Sequence, residues 1–309
     1  MKSVEKLGRV VIVGAGAVGS YYGGRLAQHG GDVTFLLRSD YDAVKETGLT
    51  FQSSSGDFKL ETPKIAKSAE EIGEVDLVIV TWKATSNDKF KEVLTPLVGD
   101  NTLLVTLQNG IGSAEKLAEL FGEERVVGGL CFVCINRLEP GLISHTAGGI
   151  VSIAPFGSVD RQQVAQLAAA FEESNVPCKL SDDLSLIQWQ KLVWNVPFNG
   201  LAISKGGVTT DVLLEKHEQE VRELMAEVIS GAAALGHEIS SEVIDQQIER
   251  TRGMGAYRPS SMIDFVEGRP VEVEAIWEFP FELAAAKGAH LPLWEDLLSE
   301  LREKVKVFS

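Results

Sequence analysis

Lys191, Asn195 and Asn199 place an ammonium and two carboxamides four residues apart within Trp189-Gln-Lys-Leu-Val-Trp-Asn-Val-Pro-Phe-Asn199. On a helix, positions i, i+4 and i+8 fall on nearly one face and rise about 6 Å per step. The three polar heads then line one stripe of an otherwise apolar rod. A solvated face would carry further charged residues beside them, whereas Leu192, Val193, Trp194, Val196 and Phe198 leave little surface for water. Such a stripe can bind a small polar molecule, the ammonium stabilising an oxyanion or giving up a proton while the amides hold hydroxyl or carboxylate oxygens. It can equally be an internal polar network that fixes helix packing, because buried amides and amines need partners in either case.

A second set of residues bears on that choice. The apolar run Arg9–Val13 leads into Gly14, Ala15, Gly16, Ala17, Val18 and Gly19, and the segment Ser20–Gln28 after it has helical composition. Strand, GxGxxG and helix in succession form the context a dinucleotide site requires. Gly14 permits the tight turn, Gly16 the approach of a pyrophosphate, and Gly19 close helix packing. The pyrophosphate would rest on the helix N-terminus, where unpaired N–H groups favour anions. Asp32 lies near the usual spacing for an acid that accepts from the ribose 2′-hydroxyl, but it precedes the strand Val33–Leu37 and so occupies the wrong end. Arg38 occupies the right end, and a guanidinium there suits a 2′-phosphate, favouring NADP over NAD.

These groups need a scaffold, and the rest of the chain supplies one. With 309 residues, 44% of them hydrophobic, it is long enough for two cores. Its net charge of −15 disfavours nucleic acid and anionic membranes as partners, so an anionic ligand must be held by local cations. No apolar run reaches spanning length and the N-terminal residues lack a signal-peptide core, which points to a cytoplasmic protein. Three cysteines do not make a disulfide framework. Cys131 and Cys134 form a lone CxxC inside an apolar run, which reads as strand beside the cofactor rather than as a metal site.

Strand signals at 49–52, 58–60, 75–80, 102–107, 126–132, 141–145 and 150–154 alternate with helix signals near 86–97, 112–121 and 160–174. The pattern implies an α/β fold, a Rossmann-like doubly wound parallel sheet. After residue 180 only helical patterns follow, at 215–235, 240–252, 274–287 and 292–307, so a second, all-helical C-terminal domain is expected. The division is placed at 1–176 for the cofactor-binding domain and 177–309 for the helical one, with an active-site cleft between them. Lys83 and Asn109 follow two strand ends, where ligands of such sheets bind, though a surface Lys and an Asn-Gly turn are the plainer readings. Ser261 and Glu272 follow loop signals and read on their own as helix N-terminal residues. His145 ends a strand signal and reads as a core or edge histidine rather than an active-site one.

Taken in order, GAGAVG, LLR, TWK, QNG, the KxxxNxxxN segment, SSM and PxE resemble the ketopantoate reductases (2-dehydropantoate 2-reductases) over nearly the whole chain. The resemblance implies NADPH-dependent reduction of a small 2-keto acid on the pantothenate and coenzyme A route. It makes Lys191 the proton donor, and sets Asn109, Asn195, Asn199 and Ser261 against the substrate. It puts Lys83, Asn109, Cys134 and Glu272 near the cofactor, Glu272 also at the reacting centre. Pro197 within the helix is expected to kink it and disturb Asn199. The interval from Ser261 to Glu272 is one residue shorter than the commonest family spacing, so Glu274 competes with Glu272 for the acid's place. Two other classes stand beside this reading: a reductase of a different 2-keto or 3-hydroxy acid, and a non-catalytic NADP-sensing protein, which has no need of Lys191 and Glu272 together. The amphipathic C-terminal helices offer a face for a homodimer.

Overall fold

The computed structural model describes residues 2–305. Its contacts divide the chain into two units: one runs to Gln108 and resumes at Ser113–Leu184, and the other comprises Asn109–Gly112 and the chain from Ser185 onward.

The first unit is built on one ten-stranded sheet. In chain order its elements are β1 (Arg9–Val13), α1 (Ala17–Gln28), β2 (Asp32–Leu36), α2 (Tyr41–Thr47), β3 (Leu49–Ser53), β4 (Phe58–Leu60), β5 (Lys64–Ala66), β6 (Val75–Val80), α3 (Phe90–Leu94), β7 (Val98–Thr106), α4 (Ser113–Phe121), β8 (Val126–Glu139), β9 (Leu142–Pro155), α5 (Arg161–Glu173) and β10 (Cys178–Leu180). The strand order is β4-β3-β9-β8-β7-β6-β1-β2-β5, with β10 also on β9. From β8 to β5 every neighbouring pair is parallel, the doubly wound arrangement that strand–helix alternation demands. Because α1 and the other helices cover such sheets, central strands are apolar on both faces. In β1, Val10, Val11, Ile12 and Val13 are all buried.

The sheet is mixed at its other side. β8 and β9 pair antiparallel, as do β3 and β4. Three short strands were expected over residues 126–154; two 14-residue strands form a hairpin instead. Its register shifts near Phe132, Cys134 and Arg137, and Gly148 and Gly149 adopt left-handed conformations, so the alternation of side chains is interrupted where the pattern breaks. The helix expected near 86–97 is a short α3 flanked by 3₁₀ turns at Ala84–Lys89 and Thr95–Leu97. Residues 178–180 join the sheet as β10, which carries the first unit to Leu184, past the expected division at 176.

The second unit has no strand among the described residues. It contains α6 (Leu184–Ser204), α7 (Thr210–Lys216), α8 (Glu218–Ala234), α9 (Glu242–Arg252), α10 (Ser260–Val266), a π-helical turn at Glu274–Glu278, α11 (Phe279–Ala286) and α12 (Pro292–Val305). Residues 306 and 307, expected to end α12, lie outside the described residues. α6 forms the centre of a core with Trp189, Phe198, Trp277 and Trp294, none of which reaches solvent. Full burial of side chains this large supplies about 1.5–3 kcal/mol each or more. No described helix is long and apolar enough to cross a membrane.

Candidate functional site

The glycine turn after β1 is closed from the neighbouring strand. Gly14 has φ +88°, and a Cβ there would stand 2.3 Å from the Trp82 backbone nitrogen. Only glycine fits that approach. A Cβ on Gly19 would meet Thr81 Oγ1 at 2.3 Å and Ile12 at 2.8 Å, so α1 lies against β1 as closely as it does because no side chain intervenes. A Cβ on Gly16 meets nothing closer than 4.0 Å, which leaves open space over the backbone at the start of α1. The three positions therefore serve the turn, the helix contact and an open approach to the backbone, the arrangement that suits a pyrophosphate. Gly16 caps α1 without a side-chain hydrogen bond. The first N–H groups of this 12-residue helix remain suited to an anion.

Thr81 and Trp82, just past β6, fix that turn. Thr81 Oγ1 donates to the Gly14 carbonyl at 2.8 Å, and its amide donates to the Val13 carbonyl at 2.8 Å. Trp82 Nε1 donates to Asn87 Oδ1 at 3.2 Å, and Gln108 Nε2 donates to the same oxygen at 2.8 Å. Asn87 Nδ2 in turn donates to Ser113 Oγ at 2.9 Å, and Thr106 Oγ1 to Gln108 Oε1 at 2.9 Å. One buried amide thus ties the exits of β6 and β7 together. Asn87 escaped the sequence reading, and Thr81 and Gln108 entered it only as letters of TWK and QNG with no role of their own, since an Asn in a helical pattern and polar residues at strand ends carry no separate signature.

Arg38 is exposed just beyond β2, past the same carboxyl end of the parallel pair β1–β2 that the glycine turn follows. Asp32 begins that strand, and its carboxylate pairs with Lys64 Nζ at 2.6 Å. Lys83 is exposed after β6, and Cys134 is half-buried on β8 opposite Ala147. His145 is a core residue: it is 2% exposed, Nδ1 lies 2.9 Å from Ser53 Oγ, and the Tyr21 ring is 4.5 Å away. Burial lowers its pKa.

The helical unit gathers most of the remaining candidates. Lys191, Asn195 and Asn199 lie on one unbroken α6, at 8%, 6% and 1% exposure. Pro197 does not end the helix; the buried Trp277 indole donates to the Val196 carbonyl at 3.0 Å beside it. Lys191 Nζ donates to Asn109 Oδ1 at 2.6 Å. The loop bearing Asn109 is anchored on both flanks, by the Ile111 amide donating to the Ala275 carbonyl at 2.9 Å and by Gln188 Nε2 donating to the Gly110 carbonyl at 3.4 Å. Gly110 has φ +79°, and a Cβ there would come within 2.2 Å of the Ala275 oxygen.

Asn199 turns out to cap a helix. Its Oδ1 accepts from the Ser261 amide at 2.9 Å, the first turn of α10. Ser261 Oγ is fully buried and has no hydrogen-bond partner. Glu272 is 3% exposed whereas Glu274 faces solvent, so burial favours Glu272 as the acid of the pair.

A glycine-cradled dinucleotide turn on a doubly wound sheet, joined in one chain to a helical unit with a buried lysine, defines a nicotinamide-dependent oxidoreductase. Residues 10–158 match the family model described as ketopantoate reductase PanE/ApbA, and residues 183–305 match its C-terminal counterpart. The chain is 35% identical to a 2-dehydropantoate 2-reductase of Nostoc sp., covering 95% of this chain and 94% of that protein. A crystal structure of 2-dehydropantoate 2-reductase from Geobacter metallireducens superposes with a TM-score of 0.93 at 43% identity, covering 96% of this chain and 99% of the other. One from Methylococcus capsulatus gives 0.89 at 30% identity, with 97% and 98% covered. The chain belongs to the ketopantoate reductase family, oxidoreductases acting on a CH–OH group.

Proposed function

We propose that this chain reduces 2-dehydropantoate (ketopantoate) to pantoate with NADPH, in the cytoplasm, on the route to pantothenate and coenzyme A. The observation that carries the proposal is the buried Lys191 ammonium, 2.6 Å from Asn109 Oδ1 on the face that also bears Asn195. NADPH, when bound, would supply the hydride for the ketone carbon. Lys191 protonates the ketone oxygen as negative charge develops there, so that one hydride and one proton convert C=O to CH–OH. Asn109 holds the ammonium in place through a charge-assisted hydrogen bond.

Asn195 and Ser261 bind the substrate's hydroxyl and carboxylate oxygens. The Ser261 hydroxyl is suited to this because burial without a partner disfavours it until a ligand oxygen arrives. Asn199 contributes by fixing the backbone of Ser261. Glu272 supplies a carboxylate acceptor for substrate or nicotinamide-ribose hydroxyls. On the cofactor side, the open backbone at Gly16 and the start of α1 receive the pyrophosphate. Arg38 pairs with the 2′-phosphate, and Lys83 and Cys134 line the nicotinamide half.

The decisive experiment follows NADPH oxidation with ketopantoate and a panel of other 2-keto acids, each repeated with NADH. Highest kcat/KM for ketopantoate with NADPH is expected. A markedly better substrate elsewhere in the panel replaces ketopantoate while keeping the chemistry. Absence of oxidation with every keto acid, despite tight NADPH binding, would establish a cofactor-sensing protein instead.

A further inference from the structure

We propose that Arg137 helps set cofactor selectivity by neutralising Asp40, the carboxylate two residues past Arg38; this rests on the reading of Arg38 as the 2′-phosphate ligand. Arg137 lies on the outer part of β8, opposite Ile143, and its Nη1 is 2.7 Å from Asp40 Oδ1. Ser39 Oγ donates to the same oxygen at 2.8 Å. The Asp40 side chain is 7% exposed and that of Arg137 45%, so the carboxylate is enclosed and the guanidinium covers it from outside. The hairpin is seated rather than free. The Thr50 amide donates to the Gly141 carbonyl at 2.8 Å, and Gly141 abuts Val44 and Thr47 of α2.

The charge pattern around β2 gives this pair its meaning. A carboxylate just past β2 is the group NAD-selective folds use to accept from the ribose 2′-hydroxyl, and the same charge repels a 2′-phosphate. Asp40 therefore opposes Arg38 in choosing between the two cofactors unless its charge is offset. Lys67 lies nearby, over the Tyr41 ring at 4.4 Å, but its ammonium is 3.3 Å from Asp42 and so is matched to a different acid. Arg137 is the cation in hydrogen-bond contact with Asp40. With Arg137 in place, Asp40 Oδ1 receives two donors and the local field stays favourable to a phosphate dianion.

A plain structural role for the pair, tying the hairpin to α2, predicts equal effects on both cofactors. The test is Arg137→Met, which keeps most of the stem's packing, assayed as the ratio of kcat/KM for NADPH over NADH with ketopantoate. The ratio is expected to fall about ten- to a hundredfold, mostly through the KM for NADPH. Adding Asp40→Asn in the same chain is expected to restore it. If Arg137→Met does not fold, Arg137→Gln with and without Asp40→Asn makes the same comparison. A ratio that Arg137→Met leaves within about twofold of the wild type, in a protein where Arg38→Ala abolishes the preference, overturns this inference alone. A ratio that falls but is not restored by Asp40→Asn also overturns it, because Arg137 would then act on the cofactor directly. Wild-type preference for NADH removes the Arg38 reading and this inference with it.

Discussion

Two buried polar groups, Asn87 in the sheet unit and Ser261 in the helical unit, show how differently the same kind of side chain can be used. Asn87 accepts from Trp82 and Gln108 and donates to Ser113, all within 3.2 Å. Ser261, at 0% exposure against 8% for Asn87, is more enclosed still, and its Oγ meets no partner. A saturated amide stabilises its surroundings, while a hydroxyl left without a partner costs free energy that a ligand oxygen can recover. Polarity and burial alone do not mark a binding residue, and a missing partner, which Ser174 Oγ and Trp294 Nε1 share with Ser261 Oγ, makes Ser261 a candidate only because further candidate groups lie on the same helical unit. Asn199 illustrates the point within the site itself, since its oxygen is engaged by the Ser261 amide.

The sharpest way to break this comparison is at Lys191. Lys191→Met keeps the apolar stem and removes the charge and the proton. If the stripe is catalytic, kcat falls by about 10² to 10⁴, or roughly 3 to 5 kcal/mol of barrier, with NADPH affinity little altered. If the stripe is scaffold like Asn87, turnover per folded molecule persists and the melting temperature drops. Both quantities are read from one preparation. The next effect in size is at Arg38, where Arg38→Ala should weaken NADPH about ten- to a hundredfold and leave NADH nearly unchanged, as measured by titration of each cofactor. Equal losses would remove the 2′-phosphate assignment.

How much of this was legible in the residues alone depended on whether a feature has a period or a signature. The alternation of apolar runs, the GxGxxG turn and the four-residue polar stripe are local patterns, and they foretold a doubly wound sheet, a tight glycine turn between β1 and α1 and a helix through Lys191. The β8–β9 hairpin was not legible, because Gly148, Gly149 and three register shifts break its alternation into pieces that read as separate strands. Neither was the role of Asn87, whose partners at 82, 108 and 113 are brought together only by strand pairing. Asn109 was picked out as a strand-end residue, but its loop packs in the helical unit through Gly110, where a tertiary contact with Ala275 decides the outcome. Pro197 was expected to disturb α6, and the helix continues because a packed core with Trp277 outweighs one missing N–H.

Substituting the two contrasted residues sharpens the comparison directly. Asn87→Ala strands the Trp82, Gln108 and Ser113 groups, so a stability loss of about 2–4 kcal/mol is expected by denaturant melts. Ser261→Ala removes an unpaired hydroxyl, so stability should stay level or rise slightly while the KM for substrate increases about tenfold. A Ser261→Ala protein with unchanged KM and lower stability would place Ser261 with Asn87 as scaffold.

The smallest expected effect is at His145, which lies in the sheet unit, where its Nδ1 is 2.9 Å from Ser53 Oγ. Desolvation, the largest influence, lowers its pKa below the ordinary value of 6.5, with backbone hydrogen bonds to residues 147 and 148 opposing. A group whose folded pKa is depressed binds fewer protons in the folded state than in the unfolded state just below pH 6.5. Its contribution to stability is therefore complete above that pH and is lost as pH falls through the folded pKa. His145→Gln, which retains hydrogen-bonding capacity toward Ser53 but does not titrate, should flatten part of the decline in melting temperature below pH 6.5. The difference between variant and wild type should be small. The kcat profile for ketopantoate over the same interval should not change shape, because His145 makes its side-chain contacts with Ser53 and Tyr21 rather than with the proposed proton donor. A shifted kcat profile in His145→Gln would tie this histidine to turnover and dissolve the separation between the scaffold and the site.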